Sequence, residues 1–231
     1  VCGAMLAISV NFQQFGISAY PAGAAAEARS GFITALYVVF VPLLSFFFGK
    51  KVSPVIWVSV AVAVVGFYML CLSGGISGIY TADILVFICA FCFAGQIISV
   101  DKFVGLTGGV KLSVMQFTVA GALSAVFAVI FESPTFDNII AAAPQILYLG
   151  IVSSGVGYTL QIVGQKYAEP SVASLSMSLE SVFAALGGWL ISGNTLSVRE
   201  FIGCALVFAA IVVAQIPEMT GKTRKQSASE Q

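Results

Sequence analysis

The sequence predicts an all-α membrane protein that crosses the bilayer several times, and three observations support this prediction. Hydrophobic residues make up 59% of the 231 residues and charged residues only 9%, whereas about a quarter of the residues in an ordinary soluble domain are charged. The mean hydropathy is +1.02. The apolar residues also fall into runs of about 20, the length that an α-helix needs to cross a bilayer. So much apolar surface is expected to face lipid.

Eight apolar runs follow one another, separated by glycine, proline and charged residues of the kind that end helices. Runs such as Val58–Val65 are apolar on every side, which does not fit the alternating strands of an outer-membrane barrel. We therefore expect eight transmembrane helices, at Gly3–Tyr20, Gly31–Gly49, Pro54–Leu72, Asp83–Val104, Ser113–Phe131, Pro144–Gln165, Val172–Ser192 and Val198–Pro217.

Lysine and arginine indicate the orientation of these helices. When the eight runs are threaded alternately through the membrane, Arg29 and Arg199 fall on one side. The remaining basic residues share the other side: Lys50, Lys51, Lys102, Lys111, Lys166, Lys222, Arg224 and Lys225. Because positive charge accumulates in cytoplasmic loops, we expect a multi-pass protein of a bacterial cytoplasmic (inner) membrane, with residues 218–231 as a disordered cytoplasmic tail.

Composition disfavours several other functions. The formal net charge is zero, so no basic field is available to bind nucleic acid. The sequence has no histidine, and Cys89 and Cys92 form a lone C-x-x-C pair, so we expect neither a metal nor a cofactor. Asp83 and Asp101 lie at opposite ends of one predicted helix and cannot form a catalytic dyad. We therefore do not expect an enzyme.

A faint internal repeat runs through the sequence. Residues 36–61 resemble residues 180–205 at an offset of 144, which pairs Val38 with Val182 and Ser53 with Ser197. Upstream, an offset of 148 pairs Gln13 with Gln161. The second copy begins five predicted helices after the first, and because this offset is odd the copies have opposite orientations. Inverted repeats of this kind are typical of secondary transporters.

Four segments resemble helices of the EamA-type transporters of the drug/metabolite transporter superfamily. Residues 31–43 (GFITALYVVFVPL) resemble the fourth helix of that family, and residues 178–185 (SLESVFAA) resemble the ninth. Residues 96–103 and 158–161 resemble the end of the sixth helix and the eighth helix. The ninth-helix pattern departs from the family at Ser181, where proline is usual.

The resemblance implies a ten-helix fold of two inverted five-helix halves around a central substrate path. The chain then corresponds to helices three to ten of an N-terminally truncated member. Residues 1–73 would be the last three helices of the first EamA-type repeat, and residues 82–217 the five helices of the second.

These observations predict a secondary transporter that exports a small metabolite, amino acid or drug by alternating access. Its expected partners are the small-molecule substrate and the lipid bilayer, and association as a homodimer stays open. A passive channel or a structural membrane subunit is the alternative, and an intramembrane enzyme is less favoured.

Glu180 is the sharpest candidate for a transport residue. It lies about 12 Å along its predicted helix at 1.5 Å per residue, where an ionised carboxylate is costly unless it is paired or hydrated. We expect it to carry a proton or bind a cation. The alternative is a structural glutamate that holds helices together.

Polar residues inside the other predicted helices complete the candidate path. Tyr158, Gln161 and Gln165 share one helical face by their spacing. Amides of this kind bind polar solutes, but they also form hydrogen bonds between helices in membrane proteins, and both interpretations remain open. The predicted lining is Glu180, Gln161, Tyr158, Gln13, Tyr37, Gln96, Gln116 and Asn11.

Overall fold

A computed structural model of the chain describes residues 1–21, 26–71, 80–132, 135–183 and 197–219, and within these ranges it contains helices and no strand. A π-helix at Tyr148–Tyr158 joins α8 to α9, and residues 179–183 are also helical. The α-helices are α1 (Cys2–Ser18), α2 (Ala26–Ala35), α3 (Tyr37–Phe47), α4 (Pro54–Cys71), α5 (Thr81–Thr107), α6 (Gly109–Phe131), α7 (Phe136–Ala141), α8 (Ala143–Leu147), α9 (Thr159–Gln165), α10 (Pro170–Met177) and α11 (Val198–Met219).

Five helical segments in the described residues are long and apolar enough to cross a membrane: Arg29–Phe47, Thr81–Thr107, Gly109–Phe131, Ala143–Gln165 and Val198–Ile216. Pro54–Met69 is a shorter apolar helix. Large apolar side chains such as Val129 and Phe201 point outward and are exposed, as expected for surfaces that face lipid. The predicted class, an all-α polytopic membrane protein, is confirmed.

Several of the eight predicted runs differ in the structure. α1 ends at Ser18, two residues before the predicted end at Tyr20. The predicted run Val172–Ser192 is described only as far as residue 183, where the chain has already turned once, at Ser178. The remainder of that run lies outside the described residues, as does the tail from residue 220.

The regular α-helical pattern of the predicted run Gly31–Gly49 is interrupted at Leu36, between α2 and α3. There the Leu36 N–H donates to the Ile33 carbonyl at 3.1 Å, three residues back instead of four, which is the tighter turn of a 3₁₀ helix. Pro42 is buried inside α3 and does not end it. The interruption therefore precedes the proline by more than one helical turn.

The most extensive helix pair is α4 with α11. A Cβ on Gly66 would lie 2.9 Å from the Gly203 carbonyl oxygen and 2.8 Å from a methyl group of Val207, so only glycine permits this approach. Small residues at such crossings let two membrane helices pack backbone to backbone. Val38 and Val182, which are partners in the sequence repeat, are buried in the same apolar cluster as this pair.

α4 and α11 also begin in the same way. Pro54 and Val198 are their first residues and lie 144 positions apart (198 − 54). Ser53 precedes α4 and accepts a hydrogen bond on its hydroxyl from the Val55 N–H at 3.4 Å, and Ser197 precedes α11 and accepts one from the Glu200 N–H at 3.3 Å. The repeated serine is thus a helix N-cap in both copies.

α5 is the central element of the bundle, because it packs against α1, α2, α3, α6, α9 and α10. Its contact with α1 is close at Gly16, where a Cβ would lie 2.5 Å from a methyl group of Val86. At 27 residues, α5 is about 40 Å long. It is therefore longer than the hydrocarbon layer of a bilayer, which is about 30 Å thick.

Candidate functional site

Six elements in and around α5 carry polar side chains within the bundle. We call this group the central polar cluster and define it as Gln13, Thr34, Tyr37, Cys89, Tyr158 and Glu180. Gln13 of α1 donates through Nε2 to the Thr34 hydroxyl of α2 at 3.2 Å, and a hydrogen bond joins the Thr34 hydroxyl to the Cys89 thiol of α5. A polar connection therefore crosses three helices inside the bundle.

Glu180 lies in the helical stretch of residues 179–183, and its side chain is exposed. Tyr37 and Tyr158 are half-buried. Tyr37 and Met177, which is one turn before Glu180, both pack against an apolar cluster of Val41, Ala94 and Ile97. The helix that precedes Glu180 therefore lies beside α3 and α5.

Gln161 and Gln165 extend the central polar cluster along α9. Gln165 is 4% exposed, and its Nε2 lies 3.4 Å from the Met177 sulfur. Its Oε1 and the Nε2 of Gln161 are buried without a hydrogen-bond partner among the described residues. Because a buried polar group without a partner costs about 1–3 kcal/mol, these two amides have unused capacity to bind a ligand.

The π-helix sets the position of Tyr158, its last residue. Such helices are rare beyond a single turn and occur frequently at functional sites. The sequence analysis identified Tyr158, Gln161 and Gln165 from their helical spacing but missed the π-helix before them. The glycines of this segment, Gly150, Gly155 and Gly157, are the sequence signal that it is not a regular helix.

Besides Gln13, three of the predicted path residues form hydrogen bonds between helices. Gln96 and Gln116 are 1% and 2% exposed, and the Gln96 Nε2 donates to the Gln116 Oε1 at 3.0 Å, which joins α5 to α6. Asn11 donates to the Ser124 hydroxyl at 2.9 Å, which joins α1 to α6. These contacts match the structural alternative that the sequence left open, and their place in a substrate path stays a prediction.

A buried ion pair joins α2 to the start of α5. The Arg29 Nη2 lies 2.7 Å from the Asp83 Oδ2, and the two side chains are only 6% and 12% exposed. Asp83 also accepts hydrogen bonds from the Tyr20 hydroxyl at 2.6 Å and from the Tyr80 N–H at 2.8 Å. The Arg29 guanidinium lies over the Tyr80 ring, 4.7 Å from its centre. Burial and the Asp83 carboxylate raise the pKa of Tyr20.

A second ion pair lies near the other end of α5. Lys50, which follows α3, approaches the Asp101 carboxylate at 2.5 Å, with side chains that are 51% and 23% exposed. Cys89 lies between the two pairs, about 9 Å from Asp83 and about 18 Å from Asp101 along the helix. The central polar cluster is therefore enclosed between two ionic contacts, of which one is buried and one is exposed.

The chemistry available in the central polar cluster is that of binding. It offers one carboxylate, two phenols and amide groups, and the described residues contain no group of three or more His, Cys, Asp or Glu side chains that could hold a metal. Cys89 is a free buried thiol. This combination can accept and donate hydrogen bonds to a polar solute.

Comparison with known proteins gives the same result as the resemblance seen in the sequence. Residues 80–215 match the EamA-like transporter family. An "Uncharacterized transporter" of Archaeoglobus fulgidus is 32% identical over 189 residues, which is 81% of this chain and 60% of the relative. The chain thus spans less than two thirds of that relative's length. A crystal structure with 19% sequence identity superposes with a TM-score of 0.74 and covers 93% of this chain and 76% of its own, which shows a shared fold. The chain belongs to the EamA-like transporter family.

Proposed function

We propose that the protein is a secondary transporter that exports a small polar metabolite, amino acid or drug across the cytoplasmic membrane by alternating access. The observation that carries this proposal is the set of polar groups within predicted membrane helices: the Glu180 carboxylate is exposed, and the Gln161 Nε2 and Gln165 Oε1 are buried without a hydrogen-bond partner among the described residues. A solute that reaches this position meets hydrogen-bonding groups within the span of the membrane. Family membership supports the same function.

The two ion pairs of α5 support alternating access. Arg29 and Lys50 belong to the first repeat as we divide the chain (residues 1–73), and Asp83 and Asp101 to the second (residues 82–217). Each pair therefore ties one repeat to the other on one side of the central polar cluster. We propose that transport opens these contacts in turn. A passive channel requires both ends to be open together, and a structural subunit has no use for an accessible carboxylate.

The contacts at the two ends of the bundle support the orientation that the sequence predicts. The Arg199 guanidinium lies 5.1 Å from the centre of the Tyr68 ring, and the Tyr68 ring packs against Phe32, one turn after Arg29 on α2. The two predicted external arginines therefore share one end, while Lys50 lies at the other. We propose that the Lys50 end is cytoplasmic and that the Arg29–Asp83 pair closes the external side.

The proposal is tested by reconstituting the protein into liposomes and measuring the movement of a broad panel of labelled metabolites, amino acids and drugs, with and without a proton gradient. We expect at least one solute to move and Glu180→Gln to abolish its movement. Glu200→Gln is the matched control, because Glu200 only caps α11 through Ser197 and should leave transport unchanged. If no solute on the panel moved, the transport function would be refuted.

A further inference from the structure

We infer that the end of α3 and the start of α4 form a docking surface for anionic phospholipids of the surrounding leaflet. This inference does not depend on the proposed transport function. It follows from exposed aromatic rings, from the turn that fixes them and from the lysines beside them. We call this surface the aromatic–basic corner and define it by six exposed residues: Phe46, Phe47, Phe48, Lys51, Trp57 and Lys102.

Three consecutive phenylalanines at the end of α3 lie outside the bundle. Phe46, Phe47 and Phe48 are 60%, 74% and 72% exposed, and the rings of Phe46 and Phe47 pack edge-on with their centres 6.3 Å apart. Trp57, in the first turn of α4, is also exposed. Aromatic side chains are enriched where the hydrocarbon of a bilayer meets its headgroups. This enrichment places the aromatic–basic corner at the level of the headgroups.

A glycine turn fixes the lysines relative to these rings. Gly49 has a φ of +80°, and its N–H donates to the Phe46 carbonyl at 3.0 Å. The Lys50 N–H donates to the Ser45 carbonyl at 2.9 Å. Together these bonds form the Schellman motif that ends many helices. Because Lys50 and Lys51 directly follow this turn, a lipid whose acyl chains contact the rings has its phosphate close to the lysines.

An ion pair brings a further lysine to the same corner. The Lys50 Nζ lies 2.5 Å from the Asp101 Oδ2, which joins the end of α3 to α5. Lys102 directly follows Asp101 and is exposed, and its Nζ lies 5.9 Å from the centre of the Phe103 ring. Three lysines thus meet beside the exposed rings. Long lysine side chains can lie along apolar surface and still hold their charge at the headgroups.

Charge decides between a lipid and a second copy of the chain as the occupant. On the side of the membrane to which the sequence assigns Lys50, eight basic residues stand against four carboxylates: Asp101, Glu169, Glu218 and Glu230. A symmetric dimer uses the same patch on both copies, so it would bring the lysines of one corner against those of the other. An anionic phospholipid complements this charge, and it supplies acyl chains for the rings as well as a phosphate for the lysines.

Trp57 makes the lipid beside this corner measurable by fluorescence. The sequence contains two tryptophans, so Trp189→Phe leaves Trp57 as the single emitter. The chain is reconstituted into bilayers of equal parts phosphatidylglycerol and phosphatidylcholine, in which one lipid or the other carries brominated acyl chains that quench tryptophan on contact. We expect phosphatidylglycerol to be enriched beside Trp57 by at least about fivefold, the factor that corresponds to about 1 kcal/mol for one lysine near the surface.

Substitutions and salt show whether the lysines cause this enrichment. Lys51→Gln/Lys102→Gln should remove it, and about 1 M salt, at which the Debye length is about 3 Å, should lower it. Lys111→Gln is the matched control, because Lys111 is exposed at the same end of the bundle but lies on α6. It should leave the enrichment beside Trp57 unchanged. The native chain, in which Trp57 supplies part of the emission, gives the same comparison if Trp189→Phe does not fold.

Three results would overturn the inference. One is equal quenching by the two brominated lipids, and another is an enrichment that survives Lys51→Gln/Lys102→Gln. The third is weak quenching of Trp57 by both lipids together with cross-linking of two chains through this corner, which would assign the surface to a second copy.

Discussion

Replacing Asp83 with asparagine tests how much the buried ion pair contributes to the fold. Asp83 accepts hydrogen bonds from Arg29, from the Tyr20 hydroxyl and from the Tyr80 N–H. Asparagine keeps the shape and part of the hydrogen bonding but removes the carboxylate charge that pairs with the Arg29 guanidinium, whose side chain is 6% exposed. Breaking a buried pair in this way costs about 3–5 kcal/mol. Because the pair lies at the end of a helix, near the proposed membrane interface, we expect a loss at the lower end of this range, about 3 kcal/mol.

The matched control is Asp101→Asn, on the same helix. Its partner Lys50 is 51% exposed and Asp101 is 23% exposed, and exposed pairs contribute about 0–1 kcal/mol. The free energy of unfolding of both variants is measured by denaturant titration in mixed micelles. Equal destabilisation by the two substitutions would refute the reasoning, because burial would then not decide the strength of the pair. Asp83→Asn is also made in the Arg29→Met variant. If it lowered the free energy of unfolding there as much as in the native protein, the effect would not come from the ion pair.

Three further predictions concern other contacts. Gly66→Val should lower the free energy of unfolding by about 1–3 kcal/mol, because the added side chain overpacks the α4–α11 crossing. Gly121→Ala is the control and should not lower it, since a Cβ there has nothing within 4 Å. An unchanged free energy of unfolding in Gly66→Val would show that the two helices do not pack closely at this glycine. Ser53→Ala and Ser197→Ala should each lower the free energy of unfolding by about 1 kcal/mol, because each removes a helix N-cap. An unchanged unfolding midpoint would show that the caps are not formed. The raised pKa of Tyr20 means that the folded state favours the protonated phenol. The contribution of this phenol to the free energy of unfolding is therefore complete below a pH of about 10. It is lost as the pH rises through the higher pKa of the folded state. Unfolding measured from neutral to alkaline pH should show this loss in the native protein and a smaller one in Tyr20→Phe.

The fold class could be predicted because it depends on composition and on the length of apolar runs. Lipid accepts few structures other than helices, so Gly109–Phe131 and Val198–Ile216 are recognisable from hydropathy alone. The interruption at Leu36 and the π-helix were not predictable in this way. Both leave the apolar pattern unchanged, and only the glycines of Tyr148–Tyr158 are a weak sign of an irregular helix.

The site was predictable only in part. Glu180 and Tyr158 were identified because polar groups are costly in a membrane, and their place in a substrate path stays a prediction. Thr34 and Cys89 were missed, since a threonine and a cysteine in an apolar helix resemble ordinary core residues. The pairing of Arg29 with Asp83 was missed for another reason: the residues are 54 positions apart, and sequence spacing alone does not indicate contacts between distant helices.

Alternating access between the two ends of α5 is the central claim, and cross-linking tests it most directly. Two double variants each place a pair of cysteines at one end of α5: Arg29→Cys/Asp83→Cys and Lys50→Cys/Asp101→Cys. A short bifunctional thiol reagent would cross-link the pair and so lock that end. The native protein treated with the same reagent is the control for its own cysteines. Solute movement in liposomes would be measured before and after locking. Alternating access predicts that either lock alone stops transport, whereas transport that continues at its full rate with one end locked would contradict it.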